Sequence, residues 1–417
     1  MNHKALLKRM DADQNQIVDL CRQLVRIPSE NPPGDTRKLV QFLASLFESK
    51  GLEYQIHAPK SHMPNFVARL QGKEKGRRLV FNGHIDTYPA GDPSLWKRHP
   101  FSGDCEGGKI FGRGVSDMKA GDTASIMAFL YLAENRHRMK GEVVLTLVSD
   151  EETGGEWGIC WLLDHVPEVH GEAVLNGEPS ACDLLNFAEK GQIWMEVISR
   201  GKAAHGAYTH MGVNAIQNLY HFLADLEKIE KMNVTPDDIS GVLEEGRNAV
   251  DETKGPGATD VLGRITFNVG TISGGLKLNL VPDYARAELD IRPPQGGKTS
   301  VILSEIEAIR ARYQGIECKV LHMKEPNHTP LDQEIIQLTL KNGKAVRGHR
   351  IFLSSGIGAT DCRHFRLRGI PCAVYGPRSY QMGAPDEYIM VKDLIDTVKV
   401  HTLTSFDDLE WLDERHE

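Results

Sequence analysis

The sequence predicts an α/β protein in which a mainly parallel sheet with covering helices is interrupted by a smaller β-α-β-β-α-β unit of the ferredoxin-like type. Three observations carry this reading. Short apolar runs, LVFNGHID at 79–86, EVVLTLVS at 142–149 and AVLNGE at 173–178, read as buried strands alternating with helical periodicity. From 192 to 323 the pattern changes to half-exposed strands in the order strand, helix, strand, strand, helix, strand. Beyond about 325 the first pattern returns, with PCAVYGP at 371–377 as another buried strand.

Ile17, Leu20, Leu24 and Val25 share one helical face. After the turn-rich SENPPGDT a second helix carries Leu39, Phe42, Leu43 and Leu46. A long helix over 116–134 begins near Ser116. In the middle region, QIWMEVISRG (192–201) alternates as a strand and a helix lies near 213–230. ITFNVGTIS (265–273) and YARAELDIR (284–292) are strands, followed by a helix at 299–313 and a strand at 316–323. The stretch 232–262, rich in Asp, Glu, Gly and Thr, reads as a long loop. The expected division is 1–190 and 326–417 for one discontinuous domain and 191–325 for the inserted one, with hinges near 190 and 325.

The length of 417 residues fits two or three domains, and ordinary contents of 40% hydrophobic and 25% charged residues exclude disorder and fibrous repeats. Acids exceed bases, 57 to 49, and the resulting charge of −8 argues against a nucleic-acid or anionic-membrane partner. The 7 cysteines are odd in number and form no C-x-x-C pair, as expected of reduced thiols in a cytosolic protein. The first twenty residues carry charges throughout, and no stretch approaches the ~18 consecutive apolar residues of a membrane span. A cytoplasmic location is therefore expected.

The informative feature is where histidine and acids fall relative to strand ends. His84 and Asp86 stand two apart at the end of LVFNGHID, on one face of an extended chain. H-x-D supplies a metal ligand with a carboxylate to orient it, or a strand-end histidine with neither role. Asp117, in GRGVSDMKAGDTA, opens a helix, where an acid also simply complements the dipole. Asp150, Glu151 and Glu152 follow a buried strand directly. Adjacent acids repel one another, and a cation relieves that repulsion. Glu178 ends the third strand. Together these residues point to a metal at the carboxyl ends of the strands, and a mixed N/O donor set suits Zn, Mn, Co or Fe.

NGHIDTYP, GRGVSDMKAG, SDEETGG and NGEPS, in this order, resemble the successive signatures of the M20 metallopeptidases. The resemblance covers nearly the whole chain. It implies an α/β metallohydrolase catalytic domain interrupted by a βαββαβ lid that also dimerises, giving a homodimer or higher homo-oligomer. It implies that His84 and Glu178 hold one metal, that Asp117 bridges two, that Glu152 holds the other and that Asp86 supports His84. Glu151 is implied as the general base toward a metal-activated water. GKAAHGAYTHMGVNAI resembles the lid segment whose histidine, here His205, reaches the partner subunit's site to meet a developing oxyanion. His210 competes for that role, and the usual proline is replaced by Thr209. Asn279, Arg292 and the GATDCRHF segment also match, with Asn279 and Arg292 implied as contacts to the substrate's polar or carboxylate end.

One departure matters. Members of the family carry a histidine four residues before a glutamate, but here the segment is SYQMGAPDEYI and Gly383 takes the histidine's place. Tyr380, Gln381 and Asp386 are the neighbouring substitutes, and the first two are poor replacements for imidazole. One divalent transition metal per chain (Zn, Mn or Co) is therefore expected. The predicted reaction is C–N hydrolysis of a small carboxylate-bearing N-acyl amino acid or dipeptide-like amide. The altered site is also similar to that of M20-like aminohydrolases that release ammonia from amino-substituted aromatic acids such as 5-nitroanthranilate. Arg378, following Gly376-Pro377, adds a cation suited to a substrate carboxylate. A third reading is a non-catalytic M20-like binding protein, against which the retained Glu151, Asp86 and His205 speak. No G-x-S-x-G elbow supports a serine nucleophile.

Overall fold

The computed structural model describes residues 2–412. Two compact units are present: Met1–Phe187 with Thr329–Ser354 and Ala359–Glu417, and Ala188–His328 with Ser355–Gly358.

The first unit is built on a mixed sheet whose strands run Tyr54–His57, Asn65–Gln71, Lys140–Val148, Glu74–His84, Ala173–Asn176, Cys372–Val374 and Leu184–Glu189. Its four central strands, from Lys140–Val148 to Cys372–Val374, are mutually parallel. The flanking pairs are antiparallel. The sequence expected a mainly parallel sheet, and the parallel part is this centre. Leu79, Val80 and Phe81 and Val143, Val144 and Leu145 are fully buried, because both sheet faces are covered. The helix Ala120–Ala133 is buried almost all round and packs against Val391–Asp408. Its Gly121 faces Gly177 so closely that a β-carbon there would meet the Gly177 carbonyl oxygen at 2.1 Å.

Two expectations are corrected. The long helix begins at Ala120 rather than near Ser116, because Asp117 (φ −123°, ψ 93°) and Met118 (φ −130°, ψ 31°) are not helical. Asp117 therefore lies in the turn before the helix and not in its first turn. The stretch 232–262 is not a long loop but carries the helices Asp237–Glu245, Arg247–Lys254 and Ala258–Gly263. Ile239, Leu243, Val250 and Leu262 are buried there, and that apolar spacing outweighs the polar composition.

The second unit contains a four-stranded antiparallel sheet in the order Thr266–Gly274, Tyr284–Arg292, Gln192–Arg200, Ile316–Lys324. With helices Ala215–Leu226 and Thr299–Arg310 this is the βαββαβ arrangement. Ile193, Met195 and Val197 alternate inward and, with Ala287, Leu289 and Ile291, meet Leu219, Phe222, Ile302 and Ile306. Truncating Phe222 to Ala in this core is worth about 3–5 kcal/mol.

Candidate metal centre

The three parallel strands Lys140–Val148, Glu74–His84 and Ala173–Asn176 end at one sheet edge, ~5 Å from strand to strand. His84 is the last residue of its strand, Glu151 and Glu152 follow the end of theirs, and Glu178 lies two residues beyond its own. The turn before Ala120 adds Asp117. Two sets of donor atoms lie within 4.8 Å of one another: His84, Asp117 and Glu152, and His84, Glu151 and Glu178.

His84 is 1% exposed, and its Nδ1–H donates to the carbonyl oxygen of Asp86 at 2.9 Å. That bond leaves Nε2 with its lone pair facing Asp117 Oδ1 at 3.0 Å and Glu178 Oε1 at 3.2 Å. Three electron-rich atoms facing one another need a proton or a cation among them. Ligands ~2.1 Å from one divalent ion stand roughly 3.0–3.4 Å apart, so the spacing suits a shared ion. Burial lowers the affinity of His84 for a proton, but Glu178, Asp117 and Asp86 together raise its pKa well above the ordinary value. Burial, then Asp117, push Glu152 up to about 9, and burial raises Glu151 well above the carboxylate range. One buried oxygen of Glu152, Oε1, has no hydrogen-bond partner. The residues thus fit a divalent cation with nitrogen and oxygen ligands.

The Asp86 carboxylate performs a task the sequence did not reveal. Its nearest oxygen is 3.4 Å from His84 Nδ1, farther than the Asp86 carbonyl. It accepts instead from Asn31 Nδ2 at 2.8 Å and from the backbone N–H groups of Glu151 (3.3 Å) and Glu152 (3.2 Å). It thereby ties the acidic turn to the strand that carries His84. Asn31 also reaches Thr153 Oγ1 at 3.2 Å. Arg363 of the GATDCRHF segment donates to the Gly154 carbonyl at 3.2 Å, and Asp361 is buried with both oxygens unpartnered. Burial pushes Asp361 up to about 8. Asp361 belongs to the GATDCRHF segment that the sequence singled out without giving it a role, whereas Asn31 and Tyr88, whose phenol is raised above its ordinary value chiefly by Glu152, escaped the sequence reading. Only proximity in the fold marks Asn31 and Tyr88.

His205, Asn279 and Arg292 lie in the second unit. His205 is exposed, and its Nδ1 accepts from Ala207 N at 3.1 Å. Asn279 is its neighbour, its carbonyl accepting from Gly206 N at 2.8 Å. Arg292 pairs with Asp290 at 2.9 Å on the strand Tyr284–Arg292. In the first unit, Arg378 lies over the Tyr380 ring at 5.4 Å. Gly383 has φ +76°. None of the three substitutes near it belongs to either donor set. Tyr380 stacks on Tyr388, centroids 4.6 Å apart, and Asp386 accepts from Lys97 N at 2.8 Å.

Comparison with known proteins agrees with this geometry. A family model, peptidase family M20/M25/M40, matches residues 80–405. The chain belongs to the M20 family. It is an M20-type metallohydrolase, of a class that acts on carbon–nitrogen bonds. A probable succinyl-diaminopimelate desuccinylase of Staphylococcus aureus is 26% identical over 391 residues, covering 90% of this chain and 93% of that protein. The fold matches an M20 family metallo-carboxypeptidase of Sulfolobus solfataricus with a TM-score of 0.72 at 18% identity, covering 93% and 98% of the two chains. It also matches a dinuclear metal-binding M20 peptidase of Bacillus subtilis, with a TM-score of 0.64 at 14% identity and coverage of 95% and 99%. Members of the family are metal-dependent, and a catalytic domain with a dimerisation lid is the shared architecture. Among the described residues no helix is long and apolar enough to cross a membrane.

Proposed function

We propose that this M20 protein is a metal-dependent amidohydrolase that cleaves the C–N bond of a small carboxylate-bearing N-acyl amino acid or dipeptide-like amide. The observation that carries the reading is the His84 Nε2 lone pair facing Asp117 and Glu178, with Glu151 in the second donor set. His84, Asp117 and Glu178 are the proposed core ligands of one Zn, Mn or Co ion, with Glu152 nearby. Such an ion supplies a Lewis acid that acidifies a water and polarises the scissile carbonyl. Glu151 is not needed to complete that ligand set and stands beside it. It accepts the proton of the attacking water and returns it to the leaving nitrogen, a task suited to a carboxyl whose pKa burial has raised. Asp86 holds the Glu151–Glu152 turn in register with His84. On the family pattern His205 is assigned to the developing oxyanion, Asn279 and Arg292 to the substrate's polar end, and Arg378 to a substrate carboxylate.

Gly383 favours a second reading, a mononuclear aminohydrolase of an amino-substituted aromatic acid. Without the usual histidine the second ion loses an imidazole ligand, and one ion with a general base suffices to displace ammonia from an activated ring carbon. A metal analysis paired with a substrate panel that scores ammonia and acyl release separately decides between the two. Acyl or amino-acid release supports the amidohydrolase, and ammonia without an acyl product supports the aminohydrolase. We also infer a homodimer formed through the second unit. In support, the edge strand Thr266–Gly274 exposes Ile272 and the helix Ala215–Leu226 exposes Tyr220. Light scattering on the purified protein tests it.

A further inference from the structure

The segment Tyr380–Tyr388 stands where the family delivers its histidine, yet its interior is taken up by other bonds. Its ends pair through their backbones, Tyr380 N to Tyr388 O at 3.2 Å and Tyr388 N to Tyr380 O at 3.1 Å. Between them, Glu387 is 1% exposed and accepts twice from Ser116 through one oxygen, from the backbone N–H at 3.0 Å and from the hydroxyl at 2.7 Å. Its other oxygen pairs with Arg113, itself 1% exposed. Ser116 immediately precedes Asp117, in a wide turn whose backbone leaves helical geometry at Asp117 and Met118 and which is closed by bonds on either side of the pair, from Lys119 N to the Gly114 carbonyl at 2.9 Å and from Ala120 N to the Val115 carbonyl. Ser116 itself is held from far along the chain, by Glu387, 271 residues away, and by the Ser379 hydroxyl at 3.0 Å, 263 residues away.

From this geometry we infer that Glu387 is a positioning residue for the metal ligand Asp117. It acts through Ser116 and Arg113, and it turns a loop that supplies a ligand elsewhere in the family into a strut for one. The inference rests on the reading of Asp117 as a ligand. Carboxylates that orient ligands from behind change metal affinity by roughly 10–100-fold when removed. A buried carboxylate shared between a guanidinium and a ligand-bearing turn is well placed to do so.

The test is a Co²⁺ titration of the chelator-stripped full-length protein, followed by its visible absorption bands. Wild type is expected to bind Co²⁺, and His84→Ala to bind none. Glu387→Gln is expected to bind ~10-fold or more weakly with shifted bands, because the Asp117 carboxylate no longer holds one orientation. Glu387→Gln also leaves Arg113 without its counter-charge, and this can compromise folding. Ser116→Ala keeps the Arg113 pair and the backbone bond to Glu387, removes the hydroxyl's bonds to Glu387 and Ser379, and is expected to weaken Co²⁺ binding several-fold in a protein that still folds. If a folded Glu387→Gln and Ser116→Ala both show wild-type affinity and bands, the inference is overturned while the metal reading stands. If Glu387→Gln does not fold, Ser116→Ala decides alone. If the wild type itself binds no Co²⁺, or His84→Ala binds as well as the wild type, the metal reading falls and takes the inference with it.

Discussion

Arg113 donates from Nη2 to the carbonyl oxygen of Gly383 at 3.0 Å. The backbone at the position of the family's histidine is therefore held by a buried guanidinium. Gly383 adopts φ +76°, where any residue with a β-carbon is strained, although no atom lies within 4 Å of the place that carbon would take. Conformation rather than crowding is what a side chain there would have to overcome, as those of Gln381 (φ +57°) and Asp386 (φ +58°) in the same segment do.

Gly383→His should consequently not restore a second metal. The expected result is an unchanged metal content, about one per chain, with stability lower by about 1–3 kcal/mol from the left-handed backbone. Elemental analysis beside a denaturation curve checks both. A rise to two ions per chain would show that the imidazole alone was missing.

Glu151→Gln removes the proposed base and leaves the other donors in place. kcat should fall about 10²–10⁴-fold with metal content unchanged. A variant that loses its metal in parallel with its activity would assign Glu151 to the ligands instead.

Asp86→Ala strands the N–H groups of Glu151 and Glu152 and the amide of Asn31. About 10–100-fold weaker metal binding is expected, together with about 1–3 kcal/mol of lost stability for the stranded donors. Isothermal titration with the metal and urea unfolding of the stripped protein separate the two effects.

Chelation should lower the melting temperature of the wild type and barely change that of His84→Ala. An ion bound only by the folded chain stabilises it by mass action, so re-addition should raise the melting temperature in proportion to the logarithm of metal concentration. Equal responses from the two proteins would place the ion elsewhere.

His401 offers a pH test away from the site. It is fully buried, donates from Nε2 to the Tyr375 carbonyl at 2.7 Å, and is pushed by burial down to about 4. The unfolded chain takes up that proton near pH 6.5. The contribution of neutral His401 is complete above about pH 6.5 and is lost as pH falls toward about 4, a change of about 3 kcal/mol at ~1.4 kcal/mol per unit. In His401→Gln the slope of stability against pH between 4 and 6.5 should be correspondingly shallower. Parallel curves would mean that His401 is protonated in the fold.

Much of the centre was legible in the sequence because apolar strands buried on both faces announce themselves. In a parallel sheet, the residues just past the strand ends must gather at one edge. His84, Glu151, Glu152 and Glu178 were readable for that reason, as was the βαββαβ order of the second unit with its alternating Ile193, Met195 and Val197. The helices of 232–262 were missed because short turns of helix in acidic, glycine-containing sequence show only a few apolar positions, among them Ile239, Leu243 and Val250.

The sequence by itself determined the candidate donors, the strand ends that carry them and the absence of an imidazole at 383. Tertiary structure decided which hydrogen bonds hold those donors. The Asp86 carboxylate grips the acidic turn while its carbonyl orients His84. Glu387 reaches Ser116 and Arg113 across more than 270 residues of chain. A strand's periodicity is local and survives in the sequence, whereas the partner of a buried carboxylate is fixed only when packing brings distant segments together and burial makes an unpaired charge too costly to leave.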